Sequence, residues 1–435
     1  MATRTGTIAD AGGLLARVRR RLIPFLFLLY IVAYLDRINV GFAALQMNAS
    51  LGFSSTTYGL GAGIFFLSYT VFEIPSNIML ARIGARLWIA RIMVSWGVVS
   101  ALTMFVRTAP AFYTLRFLLG AAEAGFFPGI IFYLTLWFPQ RERARTVAAF
   151  MTAVFFAGVV GGPLSGALLS MHGAGGLAGW QWLFLLEGLP AIVLGFVVLR
   201  VLDEGPATAA WLTADQRAVI VISLQEDAAR QRVETTGRAL RNRRTWAISL
   251  IHVIIPVTLY GLGFWMPQML KKASGSNDFA VGVLTAIPYA AATVAMVVVG
   301  RRSDRTGERR WHFAIPAVAC AAALAASTLS STAIWTVATL TVAMAALASM
   351  FGPFWAMATS EIGGVGAAAS IALVNAVGNT GGFIGPYLLG AINDATDSFA
   401  AGLFAIAAIL VAGAVAALRV PDVGAGFPPA LDGPP

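Results

Sequence analysis

The chain has 435 residues, of which 58% are hydrophobic and 11% charged, with a formal net charge of +10. Soluble globular domains carry about 25% charged residues, so the composition excludes an ordinary water-soluble fold and points to a lipid solvent. One cysteine, Cys320, excludes a disulfide or a cysteine-built metal framework.

Crossing hydrocarbon takes about 20 mostly apolar residues in a helix. In chain order such stretches fall at 22–43, 57–80, 87–107, 110–137, 147–170, 181–201, 245–268, 279–300, 313–330, 333–356, 368–391 and 399–419. They predict an all-α membrane protein with twelve transmembrane helices. Residues 1–21 read as a tail that places Arg17, Arg19, Arg20 and Arg21 ahead of the first span. With no small-residue cleavage site after that span, it reads as uncleaved. The polar segment 202–244, in which LTADQRAVIVISLQEDAARQR reads as a surface helix, divides a six-helix bundle at 22–201 from a second at 245–419. A tail at 420–435 follows.

With the N-terminus placed in the cytoplasm, 25 of the 30 Lys and Arg lie on or beside cytoplasmic segments, which predicts both termini on the cytoplasmic face of a bacterial inner membrane. The basic excess is then a topological signal, and no nucleic-acid partner is expected. Arg107, Lys271 and Lys272 lie near the opposite loops, and Arg37 and Arg116 lie within spans.

The first span carries AYLDRINVGF, with Asp36 and Arg37 adjacent. An ionised side chain at the centre of a membrane helix costs about 2.5 to 3.5 kcal/mol and marks a functional position. Asp36 lies about 20 Å into its span and Glu123 about 18 Å into the fourth, at 1.5 Å per residue. Glu73 nears the inner end of the second span and Glu187 the outer end of the sixth, where water could solvate them; both read as structural or gating residues. Asp36 and Arg37 are about 100° apart around the helix and serve different partners. Arg116 and Glu123, seven residues apart, share one face, which presents a cation and an acid towards Asp36. A carboxylate that alternates between an Arg neighbour and a dry site can take up and release a proton.

Loops NIMLARIGAR (77–86) and GRRSDRTGER (300–309) match at an offset of 223, pairing Arg82 with Arg305, Gly84 with Gly307 and Arg86 with Arg309. Asp304 beside Arg305 can pair with a neighbouring helix end. The same offset pairs Gly162 and Pro163 with Gly385 and Pro386, in Gly-rich runs that let helices approach closely and bend. Duplicated halves predict a substrate path at their interface. Asp36, Arg37 and Glu123 map onto Leu259, Tyr260 and Ala346, so the second half repeats none of the charges. It offers Tyr260, Trp265, Gln268, Trp355, Asn375 and Asn379 instead. His172, His252 and His312 lack metal-ligand company and read as solvated or packing residues.

The GRRSDRTGER segment resembles the signature loop of the major facilitator superfamily. The first-half copy departs from it, with Asn77 in place of the leading Gly and Ala81 at the acidic position. Within that superfamily AYLDRINVGFA, FEIPSNIML, RFLLGAAEAGFFPG, WFPQRERAR and WLFLLEGLP resemble the anion:cation symporters, particularly tartrate-like and sugar-acid-like members. The resemblance implies proton sites at Asp36 and Glu123, an Arg37 that holds the substrate carboxylate by charge-assisted hydrogen bonds, and substrate contacts at Tyr69, Trp355 and Asn375. Arg116 joins the proton-coupling group, and Asn379, Tyr260 and Gln268 join the substrate group from the polar pattern.

The expected function is uptake of a small organic anion, such as tartrate or a sugar acid, by alternating access with H+ as the coupling ion. No cofactor, metal or catalytic activity is expected, and the working unit is expected to be a monomer in the bilayer. An anion exchanger or drug exporter of the same fold, and a substrate sensor that does not transport, are the alternatives.

Overall fold

The computed structural model describes residues 3–139, 150–230, 242–361 and 367–420, and its regular secondary structure there is helical. The first three spans are α1 (Thr3–Leu51), α2 (Ser55–Ile83) and α3 (Ala85–Leu102). The fourth divides into α4 (Ala109–Glu123) and α5 (Phe126–Thr135); α6 (Ala153–Leu169) and α7 (Gly179–Val201) complete the first half. The surface helix of the central segment is α8 (Ala214–Arg230). The second half comprises α9 (Arg243–Ser274), α10 (Asp278–Thr306), α11 (Arg310–Ser327), the paired helices α12 (Ala333–Ser349) and α13 (Phe351–Glu361), the pair α14 (Ala367–Asn379) and α15 (Gly381–Thr396), and α16 (Phe399–Arg419). Residues 140–145 of the WFPQRERAR motif, 231–241 of the central segment and 421–435 of the expected tail lie outside the described residues.

Nine helical stretches among the described residues are each long and apolar enough to cross a bilayer. The other three crossings have visible reasons for falling short. Helix α6 has 17 residues, α11 carries Arg310 and His312 in its first turn, and the eleventh span is interrupted at Thr380.

Polar caps set the starts of several spans, satisfying backbone N–H groups that have no partner within the helix. Ser54 accepts from Thr57 N, Thr108 from Ala111 N, Asn277 from Ala280 N and Ser398 from Ala400 N. The segment read as an N-terminal tail continues α1 from Thr3 instead of standing apart from it. Leu14, Leu15 and Val18 of this extension are buried, and Arg21 lies over the Trp211 ring of the central segment at 4.7 Å.

The two halves meet along α1 with α9, α2 with α15, and α6 with α10. Glycine makes this approach close enough for backbone to touch backbone. A Cβ on Gly162 would strike the Gly282 carbonyl and one on Gly59 the Pro386 carbonyl; within the second half, one on Gly385 would strike the Val257 carbonyl. The Gly-rich runs thus act as helix-packing surfaces, with Pro163 and Pro386 accommodated inside α6 and α15.

Further bonds join the halves on the face opposite the described chain ends. Tyr58 Oη donates to Phe264 O at 2.9 Å and Gln46 Nε2 to Asp278 Oδ2 at 2.7 Å. Asp394 accepts from Ser55 N at 2.9 Å and Thr56 N at 2.7 Å, while Asn393 Nδ2 donates to Ser55 Oγ at 2.8 Å. Burial opposes charge on Asp394, but the Thr56 and neighbouring Ser54 and Ser55 bonds outweigh it and hold the carboxyl down at about 2.

Candidate functional site

Between the halves lies a small cavity of about 80 Å³. From the first half Tyr30, Tyr34, Arg37, Phe66 and Tyr69 line it; from the second come His252, Tyr260, Trp355, Asn375 and Asn379. Six of the seven substrate-site residues expected from the sequence therefore share one space. Gln268 does not. It stands eight residues beyond Tyr260 on α9, about 12 Å along the axis, outside the cavity lining.

Arg37 is the cavity's charged wall. Its Nη2 makes an ion pair with Glu123 Oε1, and its Nη1 donates to Tyr260 Oη at 3.2 Å. Tyr260 is the residue onto which the repeat maps Arg37, so this bond joins two equivalent positions across the pseudo-symmetry. Phe65 and Tyr69 rings flank the guanidinium at 5.4 and 5.3 Å, where the negative ring faces favour a cation.

The adjacent pair does diverge, but with the partners exchanged relative to expectation. Arg37, not Asp36, engages Glu123 on α4. Asp36 faces α3 and its own helix: Ser100 Oγ and Asn39 Nδ2 both donate to its Oδ1, the latter at 3.0 Å. The 100° separation fixes that the two side chains part; helix packing decides which one meets α4. Arg116 is fully buried and donates to the Gly61 and Ala62 carbonyls of α2, both at 3.4 Å. Its charge still acts on Asp36.

Glu123 closes α4, because Gly125 adopts a left-handed conformation (φ 86°) that ends the helix. Side chain and helix break therefore occupy the same level. The tenth span breaks at the corresponding place, between α12 and α13 at Met350.

Two acids are less solvated than the sequence implied. Glu73 is 6% exposed and accepts from Asn375 Nδ2 at 2.9 Å, linking α2 to α14. Glu187 is 4% exposed; it sits well inside α7, which starts at Gly179, and packing of α7 on α3 and α6 covers it.

His252, read from the sequence as solvated or packing, lines the cavity. Its Nδ1 meets Val374 O at 3.0 Å, and its ring stacks on Phe354 and stands edge-on to Trp355. A carbonyl cannot donate, so Nδ1 carries a proton and Nε2 is the nitrogen left for another partner. Gly378 makes the room: a Cβ there would strike the imidazole. Nothing in the sequence around His252 marks this place, because the glycine that accommodates the ring lies in another helix; Gly378 in the GNTGG run was the available signal.

The repeated loops differ in how they are tied. Asp304 accepts from Arg309 at 2.7 Å, and Arg309 also donates to Ser303 Oγ at 3.0 Å, while Arg305 stays exposed. In the first half, where Ala81 replaces the acid, Glu204 from beyond α7 approaches Gly84 and accepts from Arg86 N at 3.5 Å. Arg86 also donates to Leu199 O, and Arg82 is exposed. On the opposite face Lys271 pairs with Asp278 at 2.8 Å. Among the described residues no group of His, Cys, Asp and Glu could hold a metal ion.

Two helical halves closing on a buried, charged cavity define a membrane transporter. The family model described as Major Facilitator Superfamily matches residues 26–386, and the chain belongs to that family. It is 47% identical over 406 residues to a putative tartrate transporter of Agrobacterium vitis, covering 93% of this chain and 94% of that protein. It is 43% identical to the putative metabolite transport protein NicT of Pseudomonas putida, over 94% of each chain, and 37% identical to a quinolone resistance transporter of Acinetobacter baumannii, over 91% and 92%. In fold it resembles the crystal structure of a bacterial homologue of the human lysosomal transporter Spinster, with a TM-score of 0.76 at 17% identity, covering 92% of this chain and 96% of that one.

Proposed function

We propose that the protein imports a small organic anion together with protons, its carboxylate bound at Arg37. The observation that carries this reading is the position of Arg37: a cation at the cavity wall whose ion-pair partner, Glu123, is itself a titratable group. An incoming carboxylate competes with Glu123 for the guanidinium. Protonation of Glu123 removes the competitor, so proton and anion favour each other's binding, which is the linkage that symport requires. Tyr69, Tyr260, Trp355, Asn375, Asn379 and the Nε2 of His252 then offer hydrogen bonds and a ring face to the rest of the substrate. The tartrate name of the Agrobacterium relative fits this chemistry.

With the chain ends on the cytoplasmic side, the bonded opposite face is the outer gate. Breaking the Gln46–Asp278 and Ser55–Asp394 bonds would open the cavity outwards. A membrane potential of 100 mV contributes about 2.3 kcal/mol per net charge moved, so more than one H+ per monoanion drives accumulation.

The quinolone-transporter relative favours export as the second reading. A carboxylate screen by thermal shift, followed by uptake into proteoliposomes, separates the two. Anion accumulation driven by an inward proton gradient supports symport. Anion exchange without gradient-driven accumulation overturns it in favour of exchange, and proton-driven loss of a loaded compound in favour of export.

A further inference from the structure

Three of the four acids inside the spans have an evident counterpart: Glu123 has Arg37, Asp36 feels Arg116, and Glu73 has the Asn375 amide. Among the described residues Glu187 has no cation. Ser165 Oγ of α6 donates to its Oε1 at 2.8 Å, and Asn39 and Asp36 of α1 are close enough to act on the same carboxyl. Asn39 Nδ2 donates to Asp36 Oδ1 at 3.0 Å, so this amide is anchored on the Asp36 carboxyl. From α3 the neighbours are the backbone of Gly97 and Ala101, which press on Gly188. Among the described residues the groups acting on Glu187 are thus Ser165, Asn39 and Asp36, and none is positive.

The hydrogen-bond inventory of this cluster lacks a donor. Among the described residues Glu187 Oε2, Asn39 Oδ1 and Asp36 Oδ2 are all buried acceptors without a partner. An isolated ionised carboxylate in so dry a place neutralises by binding a proton, and a proton on Glu187 supplies the missing donor. We propose that Glu187 holds a proton in this state and exchanges it with Asp36, making it a third proton carrier of the transport cycle. In the step, the O–H bond at Glu187 breaks, an O–H bond forms at Asp36 Oδ2, and the negative charge passes from Asp36 to Glu187; no proton is gained or lost. Asn39 holds Asp36 in place, and its second N–H can turn towards Glu187 as the charge moves. The transfer also withdraws the charge that opposes Arg116, and so reaches the α4 face that ends in Glu123.

This role rests on the proton-coupled reading above, and the test separates the two. Infrared difference spectra of the purified protein at neutral pH are compared for wild type and Glu187→Gln. A protonated-carboxyl C=O band present in wild type and lost in the variant is expected; no loss of such a band overturns the resident proton, whatever the transported substrate. In proteoliposomes, Glu187→Gln is expected to lower pH-driven accumulation by about 100-fold, the range of a lost proton-transfer group, while anion exchange without a gradient stays near wild type and Glu187→Asp recovers part of the accumulation. Equal loss of exchange and accumulation, with no recovery by Asp, shows a structural role and overturns the proposal, as does wild-type accumulation. A wild-type protein that does not respond to the gradient overturns the coupling reading, and the infrared comparison still decides where the proton resides.

Discussion

On the proposed mechanism Arg37 and Glu123 make separable contributions to binding and coupling. A charged hydrogen bond contributes about 1.5–3 kcal/mol, so Arg37→Ala should weaken anion binding by about 10- to 100-fold, read by isothermal titration or thermal shift. Glu123→Gln removes the competing charge. It should leave binding and exchange in place while abolishing the pH dependence of affinity, and retention of that dependence would refute the linkage. Asp394 makes a different, structural prediction. Its carboxyl is held at about 2 by the bonds from Thr56, Ser54 and Ser55, below the usual value of about 3.9. The depressed value stabilises the closed face above about pH 4, and that contribution is lost as pH falls towards about 2. Asp394→Asn should therefore lower the melting temperature near neutral pH, and the difference from wild type should shrink on acidification through this window. At this scale the sequence disclosed which side chains are costly in a membrane; of these Arg37 lines the cavity and Glu123 pairs with it. The 100° rule could not say which of Asp36 and Arg37 meets α4, and no local pattern marked His252, whose place depends on Gly378 from another helix.

The apolar runs located the helices because lipid imposes one length on every crossing. Their interruptions were less legible. The break after Glu123 depends on the left-handed Gly125, one glycine among 45, and nothing in the apolar pattern distinguishes it from the glycines that serve packing. The offset of 223 did identify the packing glycines, since Gly162 and Gly385 both meet a carbonyl of a neighbouring helix. Gly162→Leu should prevent α6 from seating on α10, shifting the population away from the closed face by on the order of tenfold or more. Thiol labelling of cysteines placed along that face measures the shift, and Cys320 is the single native thiol to remove first. Labelling equal to wild type would show that the contact does not hold the face shut. The first-half loop shows how a local departure from a motif can be compensated at long range: the acid absent at Ala81 is supplied by Glu204, which no inspection of residues 77–86 alone would reveal.

For the whole molecule, the distribution of basic residues predicts a cytoplasmic location for both chain ends, checked with a C-terminal fluorescent reporter that should be bright and a phosphatase reporter at the same site that should be inactive. The reverse pattern would invert the inner and outer assignments of the two faces. The halves share an architecture but not a charge pattern: Asp36, Arg37, Arg116, Glu123 and Glu187 all belong to the first, and His252, Tyr260, Trp355, Asn375 and Asn379 to the second. That unequal division has a consequence for descent. Mutations that reshape the second half can alter which cargo is accepted while the ionisable machinery is inherited unchanged. Exchanging residues 245–419 with those of a relative that carries another anion should therefore transfer the cargo preference and leave the response to a proton gradient with the parent of the first half.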